Sequence, residues 1–184
     1  MKLTLSAKIA LLNGLLLIFL TLSEFLGFIK FPLLLSYNWH KLLHLTGVII
    51  FMGNMIVGPI WFSYAYYKKE TDLLRFACNL LQLTDTYLTV PGMALTVING
   101  LFLASAYGGT KNQPWLFYSF LTLLGLWALS VPLIYIQEKL YHAINETPQN
   151  ITETDKWLFR WSVLGSIISV PPVLIFYWMV AKAV

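Results

Sequence analysis

Five ionisable side chains fall within long apolar stretches of the sequence: Glu24, His40, His44, Asp85 and Arg160. A charge inside a membrane is costly, so each is a functional candidate. His40 and His44 stand four apart in Trp39-His40-Lys41-Leu42-Leu43-His44. On a helix that spacing puts both imidazoles on one face, where they can reach a single metal ion. Glu24, expected at the depth of His44, would add an oxygen ligand and complete a three-ligand site for copper or zinc. Haem b is the other chemistry open to a membrane histidine, which commonly serves as an axial ligand. The remaining histidine, His142, is expected at the opposite face, so a second axial ligand would be of another type. A structural reading stands beside these, with His40 interfacial and His44 hydrogen-bonded to a neighbouring helix or to Glu24. Asp85 and Arg160 are each expected about one turn inside the other face, where an ion pair would neutralise both.

The elements that must position these groups follow from composition. Of 184 residues, 58% are hydrophobic and 11% charged, with a mean hydropathy of +0.71; soluble domains carry about 25% charged residues. Crossing a hydrocarbon layer of roughly 30 Å takes about 20 helical residues. Runs of that kind cover 9–29, 40–66, 83–107, 114–138 and 157–181. They are continuous and Leu-rich, unlike the short alternating segments of a β-barrel. The expected fold is all-α, a five-helix transmembrane bundle forming a single domain over residues 1–184. Thr21-Leu22-Ser23-Glu24-Phe25-Leu26 offers no small-x-small cleavage site, so the first run reads as a retained span.

Lys2, Lys8, Lys68, Lys69, Arg75, Lys139, Lys156 and Arg160 fall on the N-terminal side of the membrane, against Lys30, Lys41, Lys111 and Lys182 on the other. The positive-inside rule then places the N-terminus in the cytoplasm. The formal net charge of +4 is assigned to the inner leaflet rather than to nucleic acid. The setting expected is a bacterial inner membrane. The partners expected are the lipid bilayer and either another membrane protein or a second copy. Cys78 is the single cysteine, which excludes an internal disulfide.

Two polar stretches join spans on the N-terminal side. Within the first, residues 67–82, the segment from Lys68 to Phe76 has helical spacing of apolar positions and is expected to lie along the membrane surface. Residues 142–156 contain Asn145-Glu146-Thr147 and Asn150-Ile151-Thr152, which match the glycosylation acceptor pattern. Span four has little polarity from Pro114 to Leu140, roughly 40 Å of helix, so its end, with Gln137, Glu138, Lys139 and His142, is expected in water. Pro59, Pro91 and Pro132 fall at similar depth and free the carbonyls of Met55, Tyr87 and Ala128. Three kinks at one level predict a widened inner half, read either as a cavity for a quinone, porphyrin or lipid tail or as relief of packing.

Lys41-Leu42-Leu43-His44-Leu45-Thr46-Gly47, the glycines Gly53 and Gly58, Leu88-Thr89-Val90-Pro91-Gly92, Ile98-Asn99-Gly100-Leu101, Pro114-Trp115-Leu116 and Val131-Pro132-Leu133-Ile134-Tyr135-Ile136-Gln137 form a recognisable pattern. Over residues 39–142 it resembles an uncharacterised family of small bacterial integral membrane proteins, a domain of unknown function. More distantly it looks like the haem-binding membrane protoporphyrinogen oxidases and the copper-resistance membrane proteins. That resemblance implies a functional histidine at His44. Three functions are weighed in this order: a non-catalytic accessory or assembly component, a haem- or copper-binding redox protein with His44 as ligand, and a small transporter. The last is disfavoured because no repeated halves are visible.

Overall fold

The structure is a computed structural model that describes residues 3–146 and 151–182. Its regular elements are α1 (Leu5–Leu26), α2 (Tyr37–Tyr67), α3 (Thr71–Thr84), a π-helical turn (Asp85–Thr89), α4 (Val90–Ser105), α5 (Pro114–Glu146), α6 (Ile151–Ile168) and α7 (Val170–Ala181). All are helical. The turn joins α3 and α4 into one rod, and α6 continues into α7, so five rods are long and apolar enough to cross a membrane. The two glycosylation patterns include Thr147 and Asn150, which lie outside the described residues.

Local sequence explains the breaks. Thr4 caps α1 by accepting the Ala7 N–H at 3.2 Å, and Gly27 closes it in the left-handed region at φ +81°. Pro91 has no N–H to offer the Tyr87 carbonyl, and the rod widens by one residue just before it, with the Val90 N–H reaching back to the Asp85 carbonyl. Ser169 separates α6 from α7 because Pro171 and Pro172, next in the chain, cannot continue the ladder.

Two expectations change here. Residues 71–84 do not lie along the membrane surface: α3 rises into the third span with Ala77, Cys78, Leu81 and Gln82 buried, packed on α2 and α5. Its apolar stripe meets protein instead of lipid. For the same reason the end of α5 is not left in water, since α3 covers Glu138 and Leu140.

The α2–α4 pair is the most extensive contact. Gly47 and Gly92 make it, for a methyl carbon at Gly47 would stand 2.6 Å from the Thr96 nitrogen and one at Gly92 would stand 2.9 Å from the Phe51 nitrogen. Small residues let backbones approach this closely where no hydrophobic force drives helices together. Gly53, on the same helix, meets nothing within 4 Å and takes no part. α1 lies against α4 and α5, while α6 and α7 pack on α5. Buried side chains gather in two main groups: Phe62, Cys78, Leu81, Leu140, Trp157 and Trp161 towards the N-terminal face, and Leu17, Val97, Leu101 and Trp127 deeper in the bundle.

Gly92→Ala is therefore expected to cost on the order of 1–3 kcal/mol, as overpacking does. Gly125→Ala, with nothing within 4 Å of the added carbon, is expected to lose no stability and to gain up to about 1 kcal/mol from helix propensity. Thermal melts in detergent followed by tryptophan fluorescence compare the two, and equal losses would remove the α2–α4 contact from this account.

Candidate functional site

A cavity of about 550 Å³ lies between the two buried groups and is walled by residues of all five spans. Met55 and Pro59 line it, whereas Pro91 and Pro132 do not. Its apolar wall includes Met93, Trp127, Leu133 and Trp161, and its polar wall includes Asp85 and Glu138. No lysine, arginine or histidine is among its lining residues.

The two carboxylates are held by a reciprocal pair of amides. Gln82 of α3 donates to Glu138 of α5 at 3.2 Å, and Gln137 of α5 donates to Asp85, at the start of the π turn, at 2.7 Å. Asn54 of α2 and the Thr89 hydroxyl each donate to the other Asp85 oxygen at 3.0 Å. Glu138, 1% exposed, also accepts the Thr4 N–H at 2.7 Å and the Thr4 hydroxyl at 2.5 Å, so it anchors the start of α1. Every one of these donors is neutral. Among the described residues no cation lies within ion-pair distance of either carboxylate.

Residues 39–183 match a family described as predicted integral membrane proteins (DUF2269). The chain belongs to this family. No curated protein and no solved structure matches it, so the likeness to protoporphyrinogen oxidases and copper-resistance proteins gains no support. The family match extends past residue 142, where the resemblance ended, to take in α6 and α7. It therefore includes His40, His44, Asp85, Glu138 and Arg160, and leaves out Glu24.

Within the family segment the two histidines tie α2 to α4. His40, 2% exposed, accepts the Leu35 N–H on Nε2 at 3.1 Å, so its Nδ1 proton points to the Asn99 side-chain oxygen at 2.9 Å. Its ring also stacks on Phe102. His44 donates Nδ1–H to the Thr96 carbonyl at 2.7 Å. Glu24 is engaged elsewhere: it accepts the Thr110 hydroxyl at 2.6 Å and its N–H at 3.1 Å. This clamps the α4–α5 loop, where Gly109 at φ +103° leaves room for the carboxylate. The set Glu24, His40 and His44 is thus not assembled as a metal site, and among the described residues no three His, Cys, Asp or Glu groups converge on one.

The expected Asp85–Arg160 ion pair is also not formed. Arg160 is exposed, with its guanidinium over the Trp157 ring at 4.8 Å, while Asp85 takes its neutral donors from α2, α5 and its own turn. Glu138 is the functional candidate that sequence reading missed. The signal was there, since Gln82, Asp85, Thr86 and Thr89 recur at helical spacing and place a polar stripe on α3 and the turn, opposite Gln137-Glu138.

Glu138→Ala leaves the Thr4 N–H and the Gln82 amide without a partner, at a cost of about 1–3 kcal/mol. It is expected to speed amide exchange over residues 4–10 and to lower the melting temperature. Arg160→Leu, acting at an exposed side chain, is expected to change neither. A loss of stability for Arg160→Leu as large as for Asp85→Leu would reinstate the ion pair.

Proposed function

We propose that the protein is a non-catalytic binding component of the membrane, whose central cavity holds a small amphipathic molecule. The cavity itself carries this reading. The cavity is partly open and its walls are mainly apolar, which suits an occupant with apolar bulk. The volume lies within the usual range for ligand sites, about 300–1,000 Å³, and the wall offers a few polar groups among apolar ones. The sequence shows no repeated halves, which favours retention of a ligand over its transport. In the same reading the N-terminus faces the cytoplasm, on the strength of the lysine and arginine distribution, and the membrane is a bacterial inner one, on that of the resemblance to a family of bacterial membrane proteins.

Gly165 provides the test. It lines the cavity, and nothing stands within 4 Å of the position its Cβ would take. Gly165→Leu is expected to fill the space while raising helix propensity. Protein purified in mild detergent and extracted into organic solvent is expected to yield a near-stoichiometric species by mass spectrometry, and the variant is expected to lose it. Identical extracts from the two proteins would overturn the proposal.

A second reading rests on His44. A ring whose Nδ1–H is held by a backbone carbonyl, as Thr96 holds this one at 2.7 Å, presents Nε2 in the orientation metal-bound imidazoles adopt. Haem b or copper bound there would give a Soret band, or stoichiometric metal by elemental analysis, that disappears in His44→Ala and survives in His142→Ala. A colourless, metal-free protein from cells supplied with haem precursor and copper would end this reading.

A further inference from the structure

Two carboxylates stand in the polar wall of the cavity, and several of the amides and hydroxyls around them already donate within the protein. The amide groups of Asn54, Gln82 and Gln137 donate to the two carboxylates. Ser130, Ser166 and Ser169 give their hydroxyl protons to carbonyls of their own helices, at Trp127, Ser162 and Ser166, so oxygen lone pairs are what they have left. Ser6 donates to the Gln82 carbonyl and accepts from Thr86. An ionised carboxylate has about four acceptor positions, and Asp85 uses three of them, with only one donor on the oxygen that faces Gln137. Asp85 is half-buried, whereas Glu138 is closed off. The wall therefore carries two acidic groups, no cationic side chain, and one carboxylate oxygen with room for a donor. Trp127 and Trp161 stand in the same wall, and an indole face attracts a cation.

We infer that the molecule held in the cavity is an amphipathic organic cation, its ammonium group against Asp85 and its apolar part among Met93, Trp127 and Leu133. The inference rests on the cavity being a binding site, as proposed above. A protonated amine supplies what the site lacks. It brings donors to the open oxygen and positive charge to a carboxylate surrounded by neutral groups, and charge-assisted bonds of this type are roughly twice as strong as neutral ones. A neutral alcohol of the same shape would fill the apolar part equally well and leave the charge uncompensated. A carboxylate ligand would add a like charge.

Three probes of one shape separate these cases: 3-phenylpropylammonium, 3-phenylpropanol and 3-phenylpropionate, titrated by calorimetry into the full-length protein in nanodiscs of uncharged phosphatidylcholine at pH 7. Empty nanodiscs give the background from partition into lipid. The ammonium is expected to bind at least about tenfold more tightly than the alcohol, one charge-assisted bond's worth, and the carboxylate more weakly than either. Asp85→Asn, which preserves shape and removes the charge, is expected to bring the ammonium and the alcohol to equal affinity. Gly165→Leu is expected to exclude all three. Equal binding of ammonium and alcohol to the unaltered protein would overturn the cation inference and leave the cavity reading standing. Binding of the probes to Gly165→Leu as tight as to the unaltered protein would overturn the cavity reading itself. No binding of the ammonium to the unaltered protein would refute the inference, and the extraction experiment then decides the cavity separately. The comparison of probes on the unaltered protein holds whether or not Asp85→Asn folds.

Discussion

Contact between the backbones of α2 and α4 at Gly47 and Gly92 governs every polar interaction in the span pair. Neither position can hold a methyl group without displacing a backbone atom of the other helix, so the two helices have one depth register. From Gly47 towards the end of α2 that begins at Tyr37, His44 meets the Thr96 carbonyl and His40 meets Asn99. Two turns the other way, Asn54 meets Asp85 and Thr89. Interhelical hydrogen bonds in lipid contribute roughly 0.6–2 kcal/mol each. They add to a register the glycines have already set, and bulk at either glycine would separate all of them together.

Hydropathy made the five spans legible, because crossing a membrane depends on local, additive apolar character. Partner choice is not local, and there the sequence misleads. The stripe on residues 71–84 is the same whether it faces lipid or protein, and only the nearness of α2 and α5 decides. Once α3 stands upright, Gln137 and Glu138 cannot be in water, which is why a residue expected at the surface is 1% exposed. Glu24 keeps other company than the histidines. Its partner is a loop that reaches over the helix ends, shaped by Gly108 and Gly109 at positive φ. Pairing Asp85 with Arg160 assumed that a buried charge must meet an opposite one. In this bundle carboxamides and a hydroxyl take that place.

The choice of amide over cation has consequences for both stability and chemistry. A lysine or arginine at 82 or 137 would neutralise its carboxylate and close the electrostatics of the cavity within the protein. Glutamine orients the same oxygens and brings no positive charge, so the electrostatics of the cavity stay open to what enters. The reciprocal pairs Gln82–Glu138 and Gln137–Asp85 also lock α3 and the turn against α5, since a slide of one helical turn, about 5.4 Å, would break both at once. Three of the rods around the cavity are thus fixed in depth by glycine contact or by paired amides. The α6–α7 rod has neither device at the cavity: it packs on α5, its serine hydroxyls at 166 and 169 bond to carbonyls of α6, and an exposed bond from Tyr66 to Asp155 joins it to α2. It is the wall best able to shift with the size of an occupant, while the acidic wall opposite keeps its geometry.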